Sequence, residues 1–138
     1  MSANPMPSSS LLADLAAIVG EAHVLTSEAD RDFYAMDVYN QLKVPLAVVQ
    51  PGTIEELQKV VRTATGSGVA GVPRGGGASY TDAYLPVRVG TLTLDMSRLT
   101  RIDINAEDLY VTVEPGVTWA KLYEAVSARG LRTPMWGP

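Results

Sequence analysis

Pro45-Leu46-Ala47-Val48-Val49-Gln50, then Pro51-Gly52-Thr53, then the run from Ile54 to Gly66-Ser67-Gly68, then Val69-Ala70-Gly71-Val72-Pro73: this stretch decides the fold. Its opening is a short apolar run stopped by Pro51-Gly52, which fits a buried strand. Thr53 is placed to cap a helix, with Glu56 three residues on as its capping-box partner. Ile54, Leu57, Val60, Val61 and Ala64 keep helical spacing, and Gly66-Ser67-Gly68 ends the element before a second strand at Val69–Pro73. Strand, helix and strand in this order predict a parallel pair with a right-handed crossover.

Working outward to the N-terminus, Ser10 is an N-cap candidate for a short amphipathic helix carrying Leu11, Leu12, Leu15, Ile18 and Val19 and ending at Gly20. Residues 21–45 mix charge with Phe33, Tyr34 and Tyr39 without a clean period, so they read as loop with a helical turn around Glu28–Ala35. Residues 1–10 hold prolines and serines with no basic residue, which predicts a flexible leader rather than a secretory signal; a cytoplasmic location is the expectation.

Towards the C-terminus, Thr91–Asp95 alternates as a strand, and Arg101–Asn105 and Leu109–Glu114 alternate again around the polar turn Asn105–Asp108. The last two should form an antiparallel hairpin. Pro115-Gly116 ends the strands, and Thr118 caps a helix to Arg129, closed by Gly130, with Leu122, Val126 and Trp119 or Tyr123 facing inward. The fold class is α+β: a βαβ subdomain followed by a mixed or antiparallel sheet with a helix. The extended apolar and aromatic segment Leu131–Pro138 has no polar closing turn, so residues 11–138 are expected to be the front part of a longer domain, incomplete at the C-terminus.

A formal net charge of −4 and the lack of any basic run argue against a general nucleic-acid or membrane-surface binder, which needs a basic face to capture phosphates. With no cysteine, disulfides, thiolate metal sites and thiol catalysis are excluded within this chain.

The chemistry sits directly after the second strand, in Pro73-Arg74-Gly75-Gly76-Gly77-Ala78-Ser79-Tyr80-Thr81. Consecutive glycines admit positive φ and leave their amide N–H groups uncrowded, and successive amides make a concave nest that suits a phosphate oxygen. Arg74 can add a charge, and Ser79 and Thr81 can add hydroxyl donors. A Walker loop is ruled out because no Gly-Lys-Ser/Thr follows, and a Rossmann turn is disfavoured because Tyr80 stands at the third glycine's place with Pro86 soon after. Alone, the triplet is as well read as a flexible turn with no ligand.

Three ordered segments add context: Val72-Pro-Arg-Gly-Gly-Gly-Ala-Ser-Tyr-Thr-Asp-Ala-Tyr-Leu-Pro86, Leu92-Thr-Leu-Asp-Met-Ser-Arg-Leu-Thr-Arg-Ile102 and Val113-Glu-Pro-Gly-Val117. Together they resemble the FAD-binding domain of the p-cresol methylhydroxylase/vanillyl-alcohol oxidase family, over about Pro45 to Pro138. The resemblance implies FAD as cofactor, lying between two α+β subdomains. Pro73, Arg74, Gly75, Gly76, Gly77, Ala78, Ser79, Tyr80 and Thr81 would hold its diphosphate, and Pro115 and Gly116 would line the adenosine side. It further implies a flavin-dependent oxidoreductase acting by hydride transfer on an alcohol-type carbon, such as a 2-hydroxy acid or a phenolic alcohol. A small-molecule substrate and an electron acceptor of unspecified kind follow, a homo-oligomer is compatible, and the catalytic residues would lie beyond this chain. Family members that carry a flavin-linked histidine in this loop have it where Ala78 stands, so the FAD is expected to be noncovalent here. Asp82-Ala83 replaces the Gly-Gly of many relatives. A truncated, non-catalytic FAD-binding or fold-only module is the alternative, and a nucleotide-diphosphate binder other than a flavoprotein ranks below it.

Other candidates weigh less. His23, the single histidine, reads as a partly exposed residue between helix and loop, and the carboxylates Asp14, Asp30, Asp32, Asp37, Asp103, Glu107 and Asp108 read as solvated caps and turns, which disfavours a paired-carboxylate hydrolase or a metal site. Tyr80 and Tyr84 flank the loop and serve equally well as cofactor contacts or core cover. Trp119, on a helix, reads as core, whereas Trp136 in an extended Gly/Pro segment suits a cofactor pocket or a contact with a further domain.

Overall fold

The computed structural model describes residues 9–135. Helix α1 (Ser9–Val19) sets Leu11, Leu15 and Val19 on one buried face, the four-residue spacing of a single helical stripe. It starts at Ser9, so the last two residues of the expected leader belong to the helix; residues 1–8 lie outside the described part. A short 3-10 turn, Glu21–His23, leads into strand β1 (Val24–Leu25) and helix α2 (Glu28–Tyr34), which Ser27 caps through its hydroxyl to the Asp30 amide. The sequence reading placed α2 well and missed β1, because two residues are too few to show an alternation.

Strand β2 (Ala47–Val49) is buried on both faces. Helix α3 (Ile54–Gly66) begins as expected: Thr53 Oγ1 accepts from the Glu56 amide at 3.1 Å, and Glu56 Oε2 accepts from the Gly52 amide at 2.7 Å. Its Val60 and Ala64 join the α1 stripe and the strands in the main core, with Val69, Leu92, Leu94, Met96 and Leu99.

Strands β3 (Gly71–Arg74) and β4 (Leu92–Asp95) complete a sheet of order β1-β2-β4-β3, with β1 antiparallel at the edge and the other pairs parallel. The βαβ strands are therefore parallel, as read, without being neighbours: β4 is inserted between β2 and β3, pairing Val48 with Thr93 on one side and Val72 with Thr93 on the other. Local pattern shows strand direction but not which later strand fills the gap.

Strands β5 (Ile102–Asn105) and β6 (Tyr110–Val113) form the expected antiparallel hairpin, Ile102 opposite Val113. Asn105 Oδ1 accepts from the amides of Glu107 and Asp108 in the turn, and Leu109 takes a φ of 56° to rejoin the strand. Helix α4 (Trp119–Ser127) is capped by Thr118 and buries Leu122 and Val126. Neither Trp119 nor Tyr123 faces inward as expected, at 42% and 52% exposure: the helix is only half covered by the hairpin, and two buried positions suffice for that contact. Among the described residues no helix is long and apolar enough to cross a membrane, and no cluster of side chains is arranged to hold a metal ion. His23 is half-buried in its 3-10 turn.

Candidate functional site

The site forms where β3 and β4 end. Beyond Arg74 the chain leaves the sheet through Gly75-Gly76-Gly77, while beyond Asp95 it turns through Ser97. The segment from Glu114 to Thr118 comes in beside them. Gly116 makes that approach possible: its amide donates to the Leu99 carbonyl at 2.8 Å, and a Cβ there would collide with the carbonyl oxygens of Met96 and Leu99. A Cβ on Gly75 would in turn lie 3.2 Å from the Pro115 carbonyl oxygen. Gly75 and Pro115-Gly116, some forty residues apart in sequence, are thus brought together.

An open cavity of about 290 Å³ lies at this junction, lined by Gly75, Gly76 and Gly116 with Tyr34, Asp95 and Ser97 among others. Gly76 has open space where a side chain would be, and Gly77 takes a φ of 71°. Among the described residues, the amides of Gly75, Gly76, Gly77 and Ala78 have no backbone carbonyl partner. Unshielded, unpaired successive N–H groups beside a cavity suit an anionic oxygen. The residues present therefore fit a diphosphate.

Arg74 is among the residues that line this cavity, and its side chain is held within the protein. Its side chain is 8% exposed, and Nη1 donates to the carbonyls of Met36 at 3.0 Å and Tyr34 at 3.4 Å. The guanidinium also lies over the rings of Tyr84, Tyr34 and Phe33, 4.7, 5.0 and 5.4 Å from their centroids. Its charge is engaged by these carbonyls and ring faces. Tyr84, at 7% exposure, covers the core and donates its hydroxyl to the Gly77 carbonyl at 2.6 Å. Further along, Ser79 Oγ lies 3.0 Å from Thr81 Oγ1 and accepts from the Thr81 amide, so these hydroxyls are engaged with each other. Exposed Tyr80 lies against Tyr39, with ring centroids 5.8 Å apart. Pro73 and Ala78 are exposed. Trp136 lies outside the described residues.

Asp95 is the site residue that the sequence reading passed over. Only 3% exposed, its Oδ2 accepts from the Tyr34 hydroxyl (2.6 Å), Gln50 Nε2 (2.8 Å) and Ser97 Oγ (3.0 Å), and its Oδ1 accepts from the Ser97 amide (2.9 Å). This one carboxylate joins α2, β2 and β4. Burial, and next the hydrogen bond to Asp95, push the Tyr34 hydroxyl up to about 12 from its ordinary 10. The available signal was an aspartate ending an otherwise uncharged strand, where an unpaired carboxylate is not tolerated. Asp37, by contrast, is a half-buried turn residue away from the cavity: the amides of Asn40 and Tyr39 donate to it and hold its carboxyl below the usual range.

Residues 45–137 match the FAD binding domain family. The chain belongs to that family. As an FAD binding domain it has FAD as its cofactor. It is 35% identical over 112 residues to D-2-hydroxyglutarate dehydrogenase of Xanthomonas citri pv. viticola, covering 80% of this chain and 24% of the relative. It is 32% identical over 131 residues to 1'-carboxy-chondrochloren decarboxylase of Chondromyces crocatus, covering 94% of this chain and 24% of the relative. Among solved structures it is similar to p-cresol methylhydroxylase with substrate bound, with a TM-score of 0.76 at 27% identity, covering 88% of this chain and 25% of that one. This FAD binding domain thus spans about a quarter of the length of the relatives it matches, and the expected resemblance and α+β architecture both hold.

Proposed function

We propose that this chain holds the diphosphate of noncovalently bound FAD on the amides of Gly75 to Ala78, as the cofactor-binding portion of a flavin-dependent oxidoreductase. The observation that carries the reading is the run of amides at Gly75–Ala78 without a backbone partner, whose first two residues line a cavity that Gly116 also lines. Ala78 offers no atom able to bond the flavin, which supports noncovalent binding through this loop. Bound FAD would supply the hydride-accepting chemistry, and the protein supplies orientation and electrostatics. In that arrangement the loop amides neutralise diphosphate charge without a flexible cation, and Gly116 keeps the second wall close enough to exclude water from one side. An alcohol-type substrate, such as a 2-hydroxy acid or a phenolic alcohol, is supported by the names of two matches, a 2-hydroxyglutarate dehydrogenase and a p-cresol methylhydroxylase.

The test uses Gly76, whose replacement by alanine meets nothing within 4 Å in the ligand-free protein. The full-length protein should purify with a flavin spectrum, release all its flavin on denaturation, and in the Gly76→Ala form bind FAD at least about tenfold more weakly, with the Tm of the ligand-free form unchanged. A colourless protein indifferent to added FAD, or flavin that stays attached after denaturation, would refute the proposal in its respective part.

A further inference from the structure

A loop of consecutive glycines is a poor binding site unless something orders it, because ordering each glycine on binding costs more backbone entropy than any other residue. Two side chains already do that ordering here. The Tyr84 hydroxyl bonds the Gly77 carbonyl at 2.6 Å, closing residues 78–83 into a short ring. Tyr84 is itself fixed, buried with Leu85 and Pro86, and preceded by a tight turn in which Asp82 takes a φ of 56° and its carbonyl accepts from the Leu85 amide. On the other side the Arg74 guanidinium fills the space beneath Gly77 so closely that a Cβ there would lie 2.8 Å from Nη2 and 2.9 Å from Nε. Arg74 in turn rests on the Tyr84 ring and on the carbonyls of Tyr34 and Met36.

We infer that Tyr84 and Arg74 are positioning residues of the loop: together they fix Gly77 in its left-handed conformation and so set the amides of Gly75 to Ala78 in one arrangement before any anionic ligand arrives. Neither side chain is a ligand to the diphosphate. The inference rests on the diphosphate reading above and adds where the loop's preorganisation comes from.

Tyr84→Phe separates this role from simple packing, since it keeps the ring over Arg74 and deletes only the hydroxyl. In the full-length protein it should weaken FAD binding by about fivefold, the loss expected from one hydrogen bond. It should also speed chymotryptic cleavage after the exposed Tyr80, inside the ring that the hydroxyl closes, in the ligand-free protein, while α1 and α3 resist cleavage as in the parent. Thr53→Ala, which removes the α3 cap, serves as the control for general destabilisation and should leave cleavage after Tyr80 and FAD affinity at parental values. For Arg74, Arg74→Lys should restore part of the affinity that Arg74→Met loses, because the ammonium still reaches the carbonyls though it lacks the planar stack. Parental affinity and a parental cleavage rate in Tyr84→Phe overturn the inference even when the protein binds FAD. A parent that binds no FAD instead sinks the cofactor reading, and the cleavage comparison still decides whether Tyr84 shapes the loop.

Discussion

Replacing Asp95 by asparagine tests whether the site is built on one buried carboxylate. Four hydrogen bonds converge on it, three on Oδ2 and one on Oδ1. Asparagine has one acceptor oxygen, and the orientation that keeps the three bonds to Tyr34, Gln50 and Ser97 Oγ points its NH₂ at the Ser97 amide, donor against donor. One bond is then lost, at about 1 kcal/mol, and a buried donor is left facing another, at about 1–2 kcal/mol more. The three surviving bonds also lose charge assistance. The expected destabilisation is about 2–3 kcal/mol, which for a chain of this length lowers Tm by roughly 10 °C. Urea unfolding followed by far-UV circular dichroism measures it directly, read as a fall in midpoint at constant slope. A loss below about 0.5 kcal/mol would refute the reasoning, since it would mean that the carboxylate's bonds are exchanged for water without cost.

Gly116→Ala should be more damaging, by upwards of about 3 kcal/mol, because its methyl meets fixed backbone oxygens of Met96 and Leu99; thermal unfolding checks it. Thr53→Ala should cost about 1 kcal/mol through loss of the α3 cap, measured by the same unfolding assay. Stability should also fall in alkali: with Tyr34 raised to about 12 in the folded protein, its contribution is complete below pH 10 and is lost as pH rises from there through 12. Tyr34→Phe should flatten that part of the pH–stability curve, and an unchanged slope counts against the Tyr34 assignment.

What the sequence revealed follows from what is local. The Thr53 and Glu56 pairing, the turn at Asn105 and the Thr118 cap are interactions within four residues, and each was legible from residue type and spacing. The glycine loop was legible for the same reason. What stayed hidden depends on residues far apart in the chain: β4 entering between β2 and β3, and Asp95 gathering partners from positions 34 and 50. Arg74 shows the limit best. An arginine beside a glycine triplet reads as a phosphate ligand until three aromatic rings and two carbonyls, from residues 33–36 and 84, are found around it. That segment 21–45 carried no period, so nothing in it announced that it would wrap the loop's base.

The insertion of β4 has a consequence for how the sheet is held together. In the folded chain β2 and β3 stand one strand apart, roughly 10 Å, with no hydrogen bonds between them. The gap is filled only by Leu92–Asp95, and the chain that carries those residues back to the start of the sheet is residues 75–91, the glycine loop and its continuation. The ligand-holding segment is therefore also the return path of the central strand. Ordering its first residues shortens the free chain that must close, and a ligand that binds only the closed form adds its own binding energy to that closure. Cofactor bound at the first residues of this segment therefore also contributes to the free energy that keeps the central strand in its place.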